Sequence, residues 1–301
     1  MIYLLEGEEF AEVDSWQTIC DRPNYLENLI AQDRRLEKII GYYELPNKVK
    51  CGLSNCHTPH FKGYVVETDN GTETNIGHTC GTKYFDVQFE TMSSEFLNSL
   101  EFAKAKIFIK ENKSKVFEYW QAVTSLEVGQ KNIKWAINLH TQITDPDIIG
   151  ISAYRALRQM QANNNGNVTI SRPPTKKEIE LAQISGQPTP QAVEIVVGFI
   201  SNIDFLSPHN DLIDLYEKQL RGTVKSLEEA DPEKLSRTQM RPIVNGINAL
   251  NTRIEKAKEI VIQSREFFNK DNLSQLLNSL EENENVSLAD VKRYKDFLEK
   301  L

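Results

Sequence analysis

Cysteine and histidine residues are concentrated in one short part of this 301-residue chain. Three of the four cysteines and three of the five histidines lie between residues 51 and 80. Thiolate and imidazole are the groups that zinc prefers, and a structural zinc site uses four of them in a tetrahedron with no open position. The sequence therefore predicts one structural zinc ion, bound by Cys51, Cys56, His78 and Cys80.

The nitrogen ligand has alternatives. His57 directly follows Cys56, and His60 lies four residues beyond it, so either could replace His78. We favour His78 because it shares a glycine-flanked turn with Cys80. His60 could instead pack in the core or support a ligand.

A β-hairpin is predicted between the two groups of ligands. Residues 61–76 carry β-branched and aromatic side chains on both sides of Asn70-Gly71, and Asn-Gly is a strong signal for a tight hairpin turn. A hairpin brings its ends together, so it would return His78 and Cys80 to the first two cysteines. A helical pattern begins soon after Cys80.

This order of a cysteine-bearing turn, a hairpin and ligands at the start of a helix resembles the treble-clef zinc fingers. The resemblance covers about residues 46–95, and its ligands are spaced C-x4-C and H-x-C. It implies a small zinc-bound module with a structural metal, and it extends to no other part of the chain.

Motifs for enzymatic chemistry are largely absent. The sequence lacks the phosphate-binding loop, the dinucleotide-binding glycine pattern, the nucleophile elbow and the H-E-x-x-H helix. A hydrolytic zinc would need an open position and a carboxylate base, for which Glu67 and Glu73 are the nearest candidates. We therefore rank a zinc-dependent hydrolase below a non-enzymatic function.

The charge of the chain is uneven. Its net charge is −8, but residues 91–186 carry twelve basic and nine acidic side chains. A local excess of Lys and Arg is what a phosphate-binding surface needs, although a solvated helix face is the commoner explanation of such a pattern. DNA or RNA binding is therefore the alternative function. It would use the basic region, defined as Lys104, Lys106, Lys110, Lys113, Lys115, Lys131, Lys134, Arg155 and Arg158.

The remaining pattern predicts a mainly α fold, with a large helical body and the small zinc-bound hairpin module near the N-terminus. We expect a helical segment over 1–45, the zinc module over 46–95, a long-helix region over 96–165 and a C-terminal helical domain over 166–301. The long helix should cover 93–122, with Phe96, Ile107 and Phe117 on its core stripe. Cap-like residues and prolines predict further helices near 146–162, 175–185, 190–206, 208–221, 232–240, 242–268, 272–282 and 287–300. Residues 163–167 and then 172–174 are the best candidates for a flexible loop or a subdomain hinge.

These features favour a macromolecular interaction protein, such as an adaptor, regulator or inhibitor, that binds a protein partner. No nucleotide cofactor is expected. No apolar run reaches the length of a membrane span, and the N-terminus lacks the basic region of a secretory signal. The expected compartment is therefore the cytoplasm, where cysteines stay reduced or bind metal.

Overall fold

The computed structural model describes residues 1–32, 34–188 and 190–301, and 56% of the chain is helical. The chain forms two compact units. Unit 1 comprises Met1–Glu111 and Asp231–Arg241, and unit 2 comprises Asn112–Ala230 and Pro242–Leu301. The mainly helical fold is confirmed, as is a small antiparallel sheet near the N-terminus. Across the described ranges, no helix has both the length and the apolar character needed to cross a membrane.

Unit 1 is built on a five-stranded antiparallel sheet with the order β2-β1-β3-β4-β5. The strands are β1 (Ile2–Glu6), β2 (Glu9–Val13), β3 (Leu36–Lys50), β4 (Pro59–Thr68) and β5 (Glu73–Ile76). The predicted hairpin at Asn70-Gly71 is confirmed, because β4 and β5 pair on either side of it. Of the two residues in this turn, only Gly71 takes a positive φ, of 79°.

Both faces of this sheet are covered by apolar side chains. Neighbouring strand residues point to opposite faces, so Ile39 and Ile40 belong to two different hydrophobic clusters. Helix α2 (His78–Lys113) contributes Phe89 and Phe96 to the first cluster. Helix α1 (Trp16–Cys20) lies against the second through Ile19 and Trp16. The sheet is therefore a two-sided core rather than an isolated hairpin.

The predicted helical segment over 1–45 is wrong. Apart from α1, the regular structure before residue 45 consists of β1, β2 and most of β3. Strand β3 lies between β1 and β4, and its Ile39 and Ile40 side chains enter clusters on opposite faces of the sheet, so its first half shows no simple alternation of apolar residues. Gly41 allows the Leu4 side chain of β1 to lie close to the backbone of β3, since a Cβ at position 41 would lie 2.8 Å from that side chain.

The long helix predicted over 93–122 is two helices, and the first of them begins earlier than predicted. Helix α2 extends from His78 to Lys113 but breaks at Asp86, where φ is 49°, and α3 (Val116–Thr124) follows as a separate helix. The expected core stripe is therefore incorrect at two positions. Ile107 is 53% exposed and Phe117 is 71% exposed.

Unit 2 consists mainly of helices. They are α3, α4 (Ile133–Ile143), α5 (Pro146–Ile149), α6 (Ile151–Ala162), α7 (Lys176–Ile184), a π-helical segment (Asp214–Arg221), α8 (Gly222–Glu229), α10 (Leu250–Phe267), α11 (Lys270–Glu282) and α12 (Leu288–Leu298), while α9 (Arg237–Asn248) begins in unit 1. Edge-to-face contacts join Trp135, Phe205 and Phe268 in its core. Several predicted caps are confirmed, including Asp145 before Pro146 and the Thr175–Glu178 capping box.

Three further elements differ from expectation. The helix predicted over 190–206 is wrong: β7 (Val193–Phe199) and a short 3-10 helix (Ile203–Leu206) occupy that range. The sequence did not predict β6 (Asn167–Arg172), which joins the two predicted loop stretches 163–167 and 172–174 and pairs with β7. The sequence VEIVVGF is rich in β-branched residues, which suit a strand, and its partner is some 25 residues away.

The cap predicted at Thr189 lies outside the described residues. The helix predicted near 232–240 begins instead at Arg237.

Candidate metal centre

Three of the four predicted ligands meet at one point in unit 1. The sulfur atoms of Cys51, Cys56 and Cys80 all lie within 4.8 Å of one another. A tetrahedral zinc ion with Zn–S bonds of about 2.3 Å holds its sulfurs about 3.8 Å apart, so this donor set fits the metal. The sulfurs of Cys56 and Cys80 are separated by 3.0 Å, and all three thiols are free rather than disulfide-bonded.

Each thiol is positioned by a different part of the fold. Cys51 directly follows β3 and is 1% exposed, with its backbone N–H bonded to the Thr58 carbonyl. Cys56 lies in the turn that leads to β4, and Cys80 lies in the first turn of α2. A metal at this point would therefore tie a strand end, a loop and a helix start together.

The environment tunes the three thiols differently. Burial raises the pKa of Cys51, although backbone N–H groups of Leu53 and Gly77 donate to its sulfur and oppose the rise. Burial acts on Cys56 as well, but hydrogen bonds with Thr58 and Cys80 outweigh it and lower the pKa of Cys56 to about 7. Burial and the contact with Cys56 raise the pKa of Cys80 to about 12. Binding of a metal would thus release protons from Cys51 and Cys80.

The three histidines occupy different surroundings. No ring nitrogen of a described histidine lies within 4.8 Å of all three sulfurs. The ring of His78 lies 5.7 Å from that of Phe89 and 6.5 Å from that of Tyr64. His57 is exposed, with a φ of 52°. Both ring nitrogens of His60 form hydrogen bonds, at 2.5 Å to the Tyr43 hydroxyl and 3.0 Å to the Thr58 carbonyl.

A buried polar network supports the strand end that carries Cys51. The Asn75 amide donates to the Lys50 carbonyl at 2.8 Å and to the Tyr43 hydroxyl at 3.1 Å. Its oxygen accepts from the Tyr25 hydroxyl at 2.7 Å. Asn75 is 1% exposed, so these groups cannot turn to water instead. The network fixes the backbone one residue before Cys51.

The carboxylates considered as catalytic bases are held elsewhere. Glu73 forms two hydrogen bonds with the Arg22 guanidinium, at 2.5 and 2.8 Å, and its side chain is only 6% exposed. Glu67 pairs with Lys38 at 3.1 Å. Among the described residues, no carboxylate belongs to the thiol group. Both candidate carboxylates are thus engaged in ion pairs with other residues.

Many side chains of the basic region already have partners. Lys104 lies 4.1 Å above the Tyr3 ring, Lys106 pairs with Glu233 at 2.9 Å, and Lys134 pairs with Glu127. The Lys113 ammonium donates to the backbone carbonyls of Glu228 and Ala230, and Lys131 lies 5.3 Å from the Trp135 ring centre. Five cations of the basic region form no ion pair or hydrogen bond through their side chains with any described residue: Lys110, Lys115, Lys131, Arg155 and Arg158.

The structure also shows a cavity that the sequence did not reveal. It lies beside Cys51 in unit 1, has a volume of about 420 Å³ and is walled in part by Trp16, Tyr25 and Glu27. Its walls come from several separate segments between Trp16 and Asn75 and carry no spacing motif. The only local signal was the presence of two large aromatic residues between positions 16 and 25.

Comparisons with known proteins add no assignment. No family model, curated protein or solved structure matches the chain. Function is therefore argued from the geometry of the site.

Proposed function

We propose that this chain is a zinc-stabilised, non-enzymatic interaction protein that binds a protein partner. The observation that carries the proposal is the convergence of three thiols from a strand end, a loop and a helix start at one point with no carboxylate among them. Such a metal would serve as a rigid support for the surface of unit 1, in the manner of a treble-clef finger.

The proposed fourth ligand is His78, which precedes Cys80 by two residues in the first turn of α2. His57 is the alternative, because it is exposed and follows Cys56 directly. His60 is less suitable, since ligation would break one of its two ring hydrogen bonds. With four protein ligands the zinc would have no open position and no bound water to activate.

X-ray absorption spectroscopy on the zinc-loaded protein tests the structural role. We expect three sulfurs at about 2.3 Å and one nitrogen at about 2.0–2.1 Å. His78→Ala should replace that nitrogen with a solvent oxygen and remove the outer-shell scattering of the imidazole ring, whereas His60→Ala should leave both unchanged. A wild-type spectrum with three protein ligands and one water would contradict the structural role and favour a hydrolytic zinc.

Nucleic-acid binding remains the second proposal, and the structure sharpens its test. Lys106 and Lys113 have intramolecular partners, so charge reversal there would also disturb the fold. Lys110, Lys115 and Arg158 are better probes because no described residue pairs with their charges.

We expect the wild-type chain to show no strongly salt-dependent binding to a short single-stranded DNA or RNA, measured by fluorescence anisotropy at several salt concentrations. Phosphate binding would instead weaken steeply as salt rises. It would also be lost in the triple variant Lys110→Glu, Lys115→Glu, Arg158→Glu. Such a result, with zinc content unchanged, would replace the protein-binding proposal.

A further inference from the structure

The cavity beside Cys51 has the features of a built binding site. Its volume of about 420 Å³ lies within the range of small-ligand pockets, and Cys51 and Gly52 form part of its wall. Cys51 is one of the three clustered thiols, and Gly52 directly follows it. The cavity is therefore shaped by the part of unit 1 that a metal would rigidify.

Two aromatic side chains form part of the wall and are fixed by their neighbours. The Trp16 ring makes an edge contact with Tyr43, with ring centres 4.7 Å apart. The Tyr25 hydroxyl donates to the buried Asn75 at 2.7 Å. Trp and Tyr rings attract cations through the negative charge density of their faces. Their presence in one cavity points to a cationic ligand.

The charges around the cavity point to the same chemistry. Glu27 lines it, is exposed and forms no ion pair or hydrogen bond through its carboxylate with any described residue. Residues 1–90 carry fifteen acidic and eight basic side chains, and three thiolates around one Zn²⁺ would add a further negative charge. Two basic residues, Lys50 and His57, also line the cavity; both are exposed, and the long side chain of Lys50 can extend into solvent.

We propose that this cavity binds the ammonium group of a lysine side chain on the protein partner. The two aromatic rings would contact the alkyl chain and the cation, and Glu27 would supply the counter-charge. This inference rests on the proposed function, since it names the chemistry by which the partner is recognised. An uncharged side chain of the same length would lose both electrostatic contributions.

The test uses the zinc-loaded full chain and the peptide acetyl-Gly-Gly-Lys-Gly-Gly-amide. Binding is followed by NMR through the indole N–H resonance of Trp16. We expect a saturable shift, and we expect the matched norleucine peptide to bind about tenfold more weakly. Equal affinities for the two peptides, or no shift with either, would overturn the proposal. Binding of n-butylamine as tight as that of the lysine peptide would assign the cavity to a free amine and would also overturn it.

Glu27→Gln should weaken binding of the lysine peptide by about fivefold or more, because the substitution removes the counter-charge without removing volume. Glu37→Gln is the matched control: it removes one exposed negative charge from the same unit outside the cavity lining, and it should change affinity by less than about twofold. Equal weakening by both variants would indicate general attraction and contradict a specific site.

The zinc content of each sample separates this inference from the proposed function. If the wild-type chain holds one zinc but fails the peptide test, only the lysine site is wrong. If freshly prepared wild-type protein holds no zinc, the zinc-stabilised function itself is wrong.

Discussion

Cys80→Ser is expected to abolish zinc binding and to loosen unit 1 while unit 2 remains folded. Cys80 is the only one of the three clustered thiols that lies on α2, so its loss releases the helix start from the sheet. Structural zinc contributes roughly 10 kcal/mol or more of binding free energy in isolated fingers. Unit 1 has its own hydrophobic clusters, so we expect destabilisation by about 3 kcal/mol or more rather than complete unfolding.

Two measurements check this outcome: metal analysis of chelator-free protein, and hydrogen exchange read separately for β3–β5 and for α10–α12. Exchange should accelerate in the strands and stay unchanged in the helices. Cys20→Ser is the matched control, because Cys20 is the fourth cysteine and lies outside the cluster. Retention of one zinc by Cys80→Ser, or equal zinc loss in Cys20→Ser, would contradict the assignment of the site.

Asn75→Ala is expected to destabilise unit 1 by about 2–4 kcal/mol and to speed zinc loss to a chelator. The substitution removes three side-chain hydrogen bonds and leaves the buried Tyr43 hydroxyl and the Lys50 carbonyl without this partner. Unpartnered buried polar groups are costly because water cannot replace the missing bond. Since Lys50 directly precedes Cys51, the loss should also loosen the ligand backbone.

Urea unfolding followed by near-ultraviolet circular dichroism measures the stability change. Asn47→Ala serves as the control, because Asn47 is exposed and its side chain has no hydrogen-bond partner among the described residues. It should change stability by no more than about 0.5 kcal/mol. If the two variants lose the same amount of stability, the Asn75 network does not support the strand end that carries Cys51.

The sequence identified the three clustered cysteines and the hairpin between them because both signals are local. Thiols are rare in this chain, and Asn-Gly has a conformational preference of its own. Capping residues likewise marked the starts of α5 and α7, since a cap bonds to backbone within three residues of itself.

The errors fall where the partner of a segment is distant in the chain. Strand β3 pairs with β1, whose first residue lies more than 30 positions earlier, and β7 pairs with β6 across α7. A buried strand of apolar residues has no periodicity that separates it from a helix, so its neighbours decide the outcome. The same holds for Phe117, which fits a helical stripe in sequence but is exposed because α2 ends at Lys113.

The sequence by itself determined the three candidate cysteine ligands, the hairpin and the helical character of most of unit 2. Only the tertiary structure placed the sulfur of Cys80 beside those of Cys51 and Cys56, separated His60 from them through its bonds to Tyr43 and Thr58, and formed the cavity at Trp16 and Glu27. The physical reason is that residue type and local conformation are encoded within a few positions. The relative placement of side chains from different elements depends on how those elements pack around a shared core.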